Sequence, residues 1–243
     1  MVRNKTDDLT LYQIMERLRI HLNEGRPITL YNTYHGVPIS HEADVAMIHP
    51  DFLGLIVHPY QAVCIKRERR TFLESKLLPT LIRAHPVSID YTNLVVMLKE
   101  LKVPKSISND LYNSWVAPKD SIIVDISVDG EKDRQVSLAE LAVLEKNEIR
   151  VVMEVPEDIP YKRHDAVEVA FRLSSLDELI QIQGTVHSLT KIRRQAKRRL
   201  EVAGTAPMGD EISILTYVAQ REDQIIGDLD RAYQKLRKGK KIR

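Results

Sequence analysis

The sequence predicts a mainly β protein of two small antiparallel β-barrels, with a helix at the N-terminus and a long helix at the C-terminus. Short β-branched apolar runs, separated by turn-forming residues, recur through residues 27–99 and again through 122–203. This spacing favours barrels over an α/β sheet. Apolar residues recur instead at helical spacing in residues 11–24 and 211–236. The chain of 243 residues is long enough for two small domains.

The N-terminal helix has recognisable start and stop signals. Thr10 followed by Gln13 reads as a capping box, and Gly25 suits the position just past a helix end. Four apolar residues follow at helical spacing between them: Leu11, Ile14, Leu18 and Leu22. We therefore expect a helix over residues 11–24, packed across the first barrel.

The first predicted domain, residues 1–98, contains six or seven short strands. They are expected at 28–31, 43–48, 52–57, 61–65, 70–73, 80–84 and 94–98. His58-Pro59-Tyr60 is interpreted as the connection of a hairpin between the strands 52–57 and 61–65. Residues 104–113 are mostly polar and are expected to form the linker or the first loop of the second domain.

The second predicted domain, residues 99–243, repeats the pattern. Its strands are expected at 122–127, 149–155, 166–173, 179–189 and 199–203. Residues 136–144 have helical composition but lie between strands, and we assign a strand because six or seven strands close a small barrel better than five. The final helix has an apolar seam that Glu222 interrupts. This seam packs either on its own barrel or on a second copy in a homodimer.

The most informative stretch is residues 121–130, which begins as a buried strand and ends in the pattern Asp-x-Ser-x-x-Gly. Asp125 and Ser127 are two residues apart, so they project to one face of a strand. Gly130 lets the backbone turn sharply or lets a ligand approach closely. A carboxylate and a hydroxyl beside exposed backbone N–H groups can hold a guanine edge or a phosphate. The alternative is a strand that runs into an Asp/Gly turn.

The order of these features resembles a PilZ domain, the small barrel that receives cyclic di-GMP in bacteria. The motif at 125–130 is followed by a strand with Gly184-x-Val186, then by another strand and a helix. The N-terminal half resembles the barrel that precedes PilZ in flagellar-brake-type proteins. The resemblance extends over most of the chain and consists of the order and pattern of these motifs, strands and helices. It implies a non-enzymatic effector of cyclic di-GMP that regulates motility or surface behaviour through a protein partner, such as a flagellar motor component.

The chain departs from this family at the cationic motif Arg-x-x-x-Arg, which PilZ proteins carry ahead of the first barrel strand. Leu98 and Lys102 occupy those positions here, with Lys99 beside them. Guanidinium groups bind phosphate bidentately and stack on guanine, whereas lysine supplies only a point charge. Arg67 and Arg70, in the first domain, are an alternative source of cations. We therefore expect weak binding of cyclic di-GMP or none, and the alternative function is a PilZ-like adaptor that acts by protein–protein interaction.

Composition argues against several other classes. A net charge of +2 is too balanced for a general nucleic-acid binder, although residues 191–199 hold six Lys/Arg in nine positions. A nucleic-acid site on that loop remains a third hypothesis, against which the 5% aromatic content argues. Cys64 is the single cysteine, and no signal sequence or long apolar run is present, so we expect a cytoplasmic protein without membrane insertion. No catalytic motif or metal-ligand spacing is found, so we expect neither an enzyme nor a metal site.

Overall fold

The computed structural model describes residues 9–107, 111–128, 137–145, 149–173 and 179–239. These residues form two closed six-stranded antiparallel barrels and three helices, which confirms the predicted fold class. They fall into two compact units. Residues 35–37 and 113–225 belong to the second unit, and the other described residues to the first. The division into domains 1–98 and 99–243 stays a prediction, which limited proteolysis would test directly.

Six strands and the N-terminal helix build the first barrel. The strands are β1 (Ile28–Tyr34), β2 (Val37–His49), β3 (Phe52–Ile56), β4 (Thr71–Glu74), β5 (Ile82–Asp90) and β6 (Val95–Lys102), in the spatial order β1-β2-β3-β6-β5-β4. Pairing of β1 with β4 closes the ring, with Leu30 opposite Leu73. Helix α1 (Leu11–Glu24) has the predicted capping box, ends at Gly25 with φ 61°, and buries Ile14 and Leu18 in the barrel core.

The predicted strand 61–65 is wrong, because Pro59–Glu68 forms a helix, α2. His58 caps it by accepting a hydrogen bond from the Tyr60 N–H at 3.2 Å, and Pro59 stands where a proline suits a helix start. The apolar run 62–65 has the local composition of a strand. Its residues are instead buried as one helical segment against the barrel, so the caps and the packing outweigh β propensity.

A buried hydrogen-bond network attaches α2 to the barrel. Asn32 of β1 is completely buried, and its Nδ2 donates to Glu68 Oε2 at 2.9 Å and to the Arg70 carbonyl at 2.8 Å. Its Oδ1 accepts from Gln61 Nε2 at 2.6 Å and from Thr71 Oγ1 at 2.8 Å. The Asn32 side chain thus ties both ends of α2 to β1 and β4, and it satisfies all of its own polar atoms.

Seven strands form the sheet of the second unit. They are β7 (Trp115–Val116), β8 (Ile123–Val128), β9 (Ser137–Glu145), β10 (Arg150–Pro156), β11 (Ala166–Arg172), β12 (Leu179–Lys191) and β13 (Lys197–Thr205). Six of them follow the order β10-β13-β12-β11-β8-β9, and the pairing of β9 with β10 closes the barrel, while β7 adds to β9. The strand assignment of the ambiguous stretch 136–144 is confirmed by β9.

The last helix, α3 (Met208–Gly239), confirms the helix predicted for 211–236. Val218, Ile225 and Leu229 of its apolar seam are buried within the chain itself. This burial favours the alternative in which the seam packs on its own chain, and a homodimer stays a prediction. None of the described helices combines the length and the apolar character needed to span a lipid bilayer.

Candidate functional site

Asp125 and Ser127 both point outward from strand β8. The alternate residues Val124 and Ile126 are fully buried, whereas Asp125 is exposed and Ser127 is half-buried. The two polar side chains therefore share the outer face of the barrel, as their spacing predicts. The buried Tyr161 hydroxyl donates to the Ile126 carbonyl at 3.0 Å, which anchors the strand between them. Gly130, the last residue of the motif, lies outside the described residues.

Strand register extends this polar surface across four strands. Ser127 on β8 stands opposite Glu168 on β11, which stands opposite Gln183 on β12, which stands opposite Thr205 on β13. Opposite residues on one face of a sheet have Cβ atoms about 4.5–5.5 Å apart. We call this line of four side chains the polar row. A shallow cavity of about 240 Å³ lies beside it, lined by Glu168, Gln181, Gln183, Thr205, Ala206 and Pro207.

A pair of facing glycines lies in β12 and β13, beside the polar row along the chain. Gly184 of β12 is paired with Gly204 of β13. A Cβ atom added at Gly204 would lie 2.2 Å from the Gln183 carbonyl oxygen, and one at Gly184 would lie 2.5 Å from the Ala203 carbonyl oxygen. Only glycine fits at these positions. Because side chains alternate along a strand, Gly184 and Gly204 have the phase of the buried Ile182 and Val202, so the two glycines let β12 and β13 approach closely on the inner side of the sheet.

The chemistry of this face is that of hydrogen-bond acceptors. Asp125 and Glu168 bring two carboxylates to it, and neither carboxylate has a hydrogen-bond or ion-pair partner within the described part of the chain. Guanine presents ring and exocyclic N–H donors that a carboxylate accepts, whereas a phosphate would be repelled by two like charges. Of the two ligand groups that the sequence motif allows, this face therefore suits the guanine edge.

The predicted cationic positions on β6 differ in burial and in the charged groups beside them. Leu98 is completely buried in the core of the first barrel, so the position that would hold the first family arginine cannot present a cation. Lys99 is half-exposed and lies 3.7 Å from the Glu100 carboxylate. Lys102 is exposed and stands opposite Arg83 of β5. Arg83 is a residue that the sequence patterns did not single out.

The alternative cations near the end of α2 already contact other groups. The Arg67 guanidinium lies 5.1 Å from the centre of the Tyr34 ring, and that of Arg70 lies 5.6 Å from the Phe72 ring. Arg70 Nε is also 3.9 Å from Glu68. Both arginines belong to the first unit, whereas Asp125 and Ser127 belong to the second. The structure thus groups Asp125 with Ser127, and Arg67 with Arg70, each within its own unit.

The basic loop 191–199 is partly neutralised by carboxylates of its own unit. Lys191 Nζ lies 2.5 Å from Glu157, and Lys197 Nζ lies 3.3 Å from Glu154. These two ion pairs reduce the positive field that a nucleic-acid site would need. Among the residues that the structure describes, no group of three His, Cys, Asp or Glu side chains could hold a metal ion.

Comparison with known proteins yields similar folds at low identity. No family model matches the chain, and no curated protein matches it. The Bacillus subtilis inhibitor of motility MotI/DgrA is 10% identical with a TM-score of 0.41, over 82% of this chain and 96% of that one. The K. pneumonia MrkH–c-di-GMP complex is 13% identical with a TM-score of 0.41, over 91% and 97%. The Escherichia coli YcgR–c-di-GMP complex is 13% identical with a TM-score of 0.33, over 97% and 96%. Sequence identities and TM-scores this low carry no conclusion about function, which depends on the site itself.

Proposed function

We propose that this protein is a non-enzymatic cytoplasmic effector of the PilZ type. It binds cyclic di-GMP weakly and regulates motility or surface behaviour through a protein partner, for which a flagellar motor component is the leading candidate. The observation that carries the proposal is the outer face of the second barrel. There Asp125 and Ser127 of the motif lie beside Glu168 and Gln183.

The guanine of the ligand would lie against this face. Its N–H donors would be accepted by Asp125 and Glu168, while Ser127 and Gln183 offer a hydroxyl and an amide that can donate or accept. Two carboxylates that accept hydrogen bonds provide specificity for guanine over bases that lack adjacent N–H donors.

The phosphates of the ligand need cations, and the use of lysine in place of arginine limits the affinity. Lys102 is the proposed phosphate ligand, with Lys99, Arg67 and Arg70 as the other candidates, although these three already contact Glu100, Tyr34 and Phe72. A lysine cannot form the bidentate contact of an arginine. Each charge-assisted hydrogen bond that is missing costs about 1.5–3 kcal/mol, which is one to two decades of affinity. Binding is therefore expected to be weak.

Calorimetric titration with cyclic di-GMP tests the proposal. We expect a dissociation constant of about 10 μM or weaker for the wild type. Asp125→Ala and Ser127→Ala should abolish the heat of binding while the circular dichroism spectrum is unchanged. Asp158→Ala, an exposed aspartate in the turn after β10, is the matched control and should bind like the wild type. Binding by Asp125→Ala and Ser127→Ala at wild-type strength would overturn the site.

The second candidate function is a PilZ-like adaptor that binds proteins and no nucleotide. Two observations favour it. Leu98 faces the barrel core, and the charged neighbour of Ser127 across the strand is Glu168 rather than a cation. A wild-type protein that gives no heat with cyclic di-GMP at millimolar concentration would support the adaptor and refute the effector.

A further inference from the structure

A second row of paired side chains crosses the outer face of the first barrel. Tyr31 of β1 is opposite Phe72 of β4, Phe72 is opposite Arg83 of β5, and Arg83 is opposite Lys102 of β6. The aromatic end of this row is covered by the chain itself, because Leu111 packs with Phe72 and the Tyr112 ring lies edge-on to Tyr31 at 5.6 Å. The basic end, formed by Arg83 and Lys102, borders a cavity instead.

The basic end of the row opens into a cavity of about 220 Å³. Its lining residues are Arg83, Lys102, Val103, Lys105 and Ser106, all of the first unit. Three of these five residues are cationic, and none is a carboxylate. Like charges that share a site repel one another unless an anion joins them. Elsewhere in the same unit, cations such as Arg19, Arg26 and Lys99 have a carboxylate within 4 Å.

Arg83 also has an unsatisfied donor. Its Nε is buried and has no hydrogen-bond partner among the residues that the structure describes. A buried donor without a partner is costly, and more so when it belongs to a charged group. Buried polar groups are normally paired, so the orphaned nitrogen of an arginine that lines a cationic cavity points to an anion beside that guanidinium.

We propose that this cavity is a binding site for a phosphate group. The Arg83 guanidinium donates to a phosphate oxygen, the Lys102 and Lys105 ammonium groups neutralise the charge, and the Ser106 hydroxyl supplies a further donor. A cavity of about 220 Å³ is smaller than the roughly 300–1,000 Å³ of sites for drug-sized ligands, so it suits a phosphate group rather than a whole nucleotide. The phosphate comes either from free inorganic phosphate or from the phosphodiester of cyclic di-GMP.

The proposal stands on first-barrel residues and does not require the proposed effector function. The probe is therefore inorganic phosphate, titrated at constant ionic strength with chloride as the reference anion and followed by thermal unfolding and by NMR. We expect phosphate to raise the Tm of the wild type more than chloride does. Arg83→Gln and Lys105→Gln should each weaken phosphate binding at least tenfold, which corresponds to about 1.4 kcal/mol.

Lys76→Gln is the matched control, because Lys76 is an exposed lysine of the first unit outside the cavity lining and its removal changes the net charge equally. It should leave phosphate binding unchanged. Lys105 lies in the loop after β6, so Lys105→Gln keeps the test informative if Arg83→Gln fails to fold. A wild type with no specific response to phosphate would overturn the proposal. An equal loss of binding in Lys76→Gln would also overturn it, since that result indicates diffuse electrostatic attraction.

A second titration distinguishes the two sources of phosphate. If saturating phosphate competes with cyclic di-GMP, the cavity takes the phosphodiester of that ligand. If phosphate binds and Arg83→Gln abolishes that binding, while cyclic di-GMP shows no binding at all, the cavity takes free phosphate. That last result would count against the proposed effector function and leave the phosphate site intact.

Discussion

Replacement of Asn32 by alanine tests whether the buried network holds α2 on the first barrel. The amide of Asn32 makes four hydrogen bonds, to Glu68, Arg70, Gln61 and Thr71. Through these bonds it positions the segment that carries Arg67 and Arg70, two of the candidate cations. The substitution therefore bears on the stability of the barrel and on the placement of these two arginines.

The structure sets the size of the effect. The Glu68 carboxylate would keep its bonds from the Thr33 backbone N–H at 2.8 Å and hydroxyl at 2.5 Å, so it is largely compensated. Gln61 would not be compensated, because its side chain is fully buried and its Oε1 already lacks a partner within the described ranges. A buried group that loses its partner costs about 1–3 kcal/mol. With the cavity left behind, we expect Asn32→Ala to lower the free energy of unfolding by about 3–5 kcal/mol.

Urea unfolding followed by far-UV circular dichroism measures this loss, and amide hydrogen exchange over residues 59–68 assigns it to α2. Asn93→Ala is the control, because Asn93 is exposed and its Nδ2 bonds only Asp90 in the same turn. It should cost less than about 1 kcal/mol. Adding Gln61→Leu to Asn32→Ala should recover stability, since the orphaned amide is then removed. A loss below about 1 kcal/mol for Asn32→Ala, with unchanged exchange in α2, would refute the reasoning.

Two further predictions concern a turn and a titration. Gly36→Ala should destabilise the second unit by at least about 3 kcal/mol in urea unfolding, because φ is +86° and the added Cβ would lie 1.9 Å from the Trp115 carbonyl oxygen. Gly25→Ala, with φ +61° and open space around the site, should cost only about 1–2 kcal/mol, and equal costs would contradict the steric argument. Burial and the neighbouring His58 lower the pKa of His41, and burial lowers the pKa of His58. The two rings are stacked, with their centres 3.7 Å apart. Because the unfolded chain then binds protons more readily, stability should fall as pH drops through about 6.5, the pKa of unfolded histidine, and this dependence should flatten in His41→Gln/His58→Asn. A variant with the slope of the wild type would assign the pH dependence to other groups.

Local patterns in the sequence determined the elements whose signals lie within a few residues. The capping box at Thr10 and Gln13 defined the start of α1, and alternation placed Asp125 and Ser127 on one face of β8. The same local view failed at α2, where an apolar run of strand-like composition is capped by His58 and buried as a helix. Composition over four residues does not distinguish a strand from a buried helical segment, because burial against the barrel decides between them.

Tertiary structure alone decided which side chains meet. Strand register places Glu168 opposite Ser127 and Arg83 opposite Lys102, although each pair is distant in the sequence. A shift of one residue would turn every side chain of a strand to the other face, and nothing in a single strand specifies its partner. For the same reason the family pattern placed Leu98 where the first arginine would stand, and only pairing within the barrel shows that this position faces the core. The sequence therefore determined the kind of fold and one half of the candidate site, and the long-range pairing of strands determined the rest.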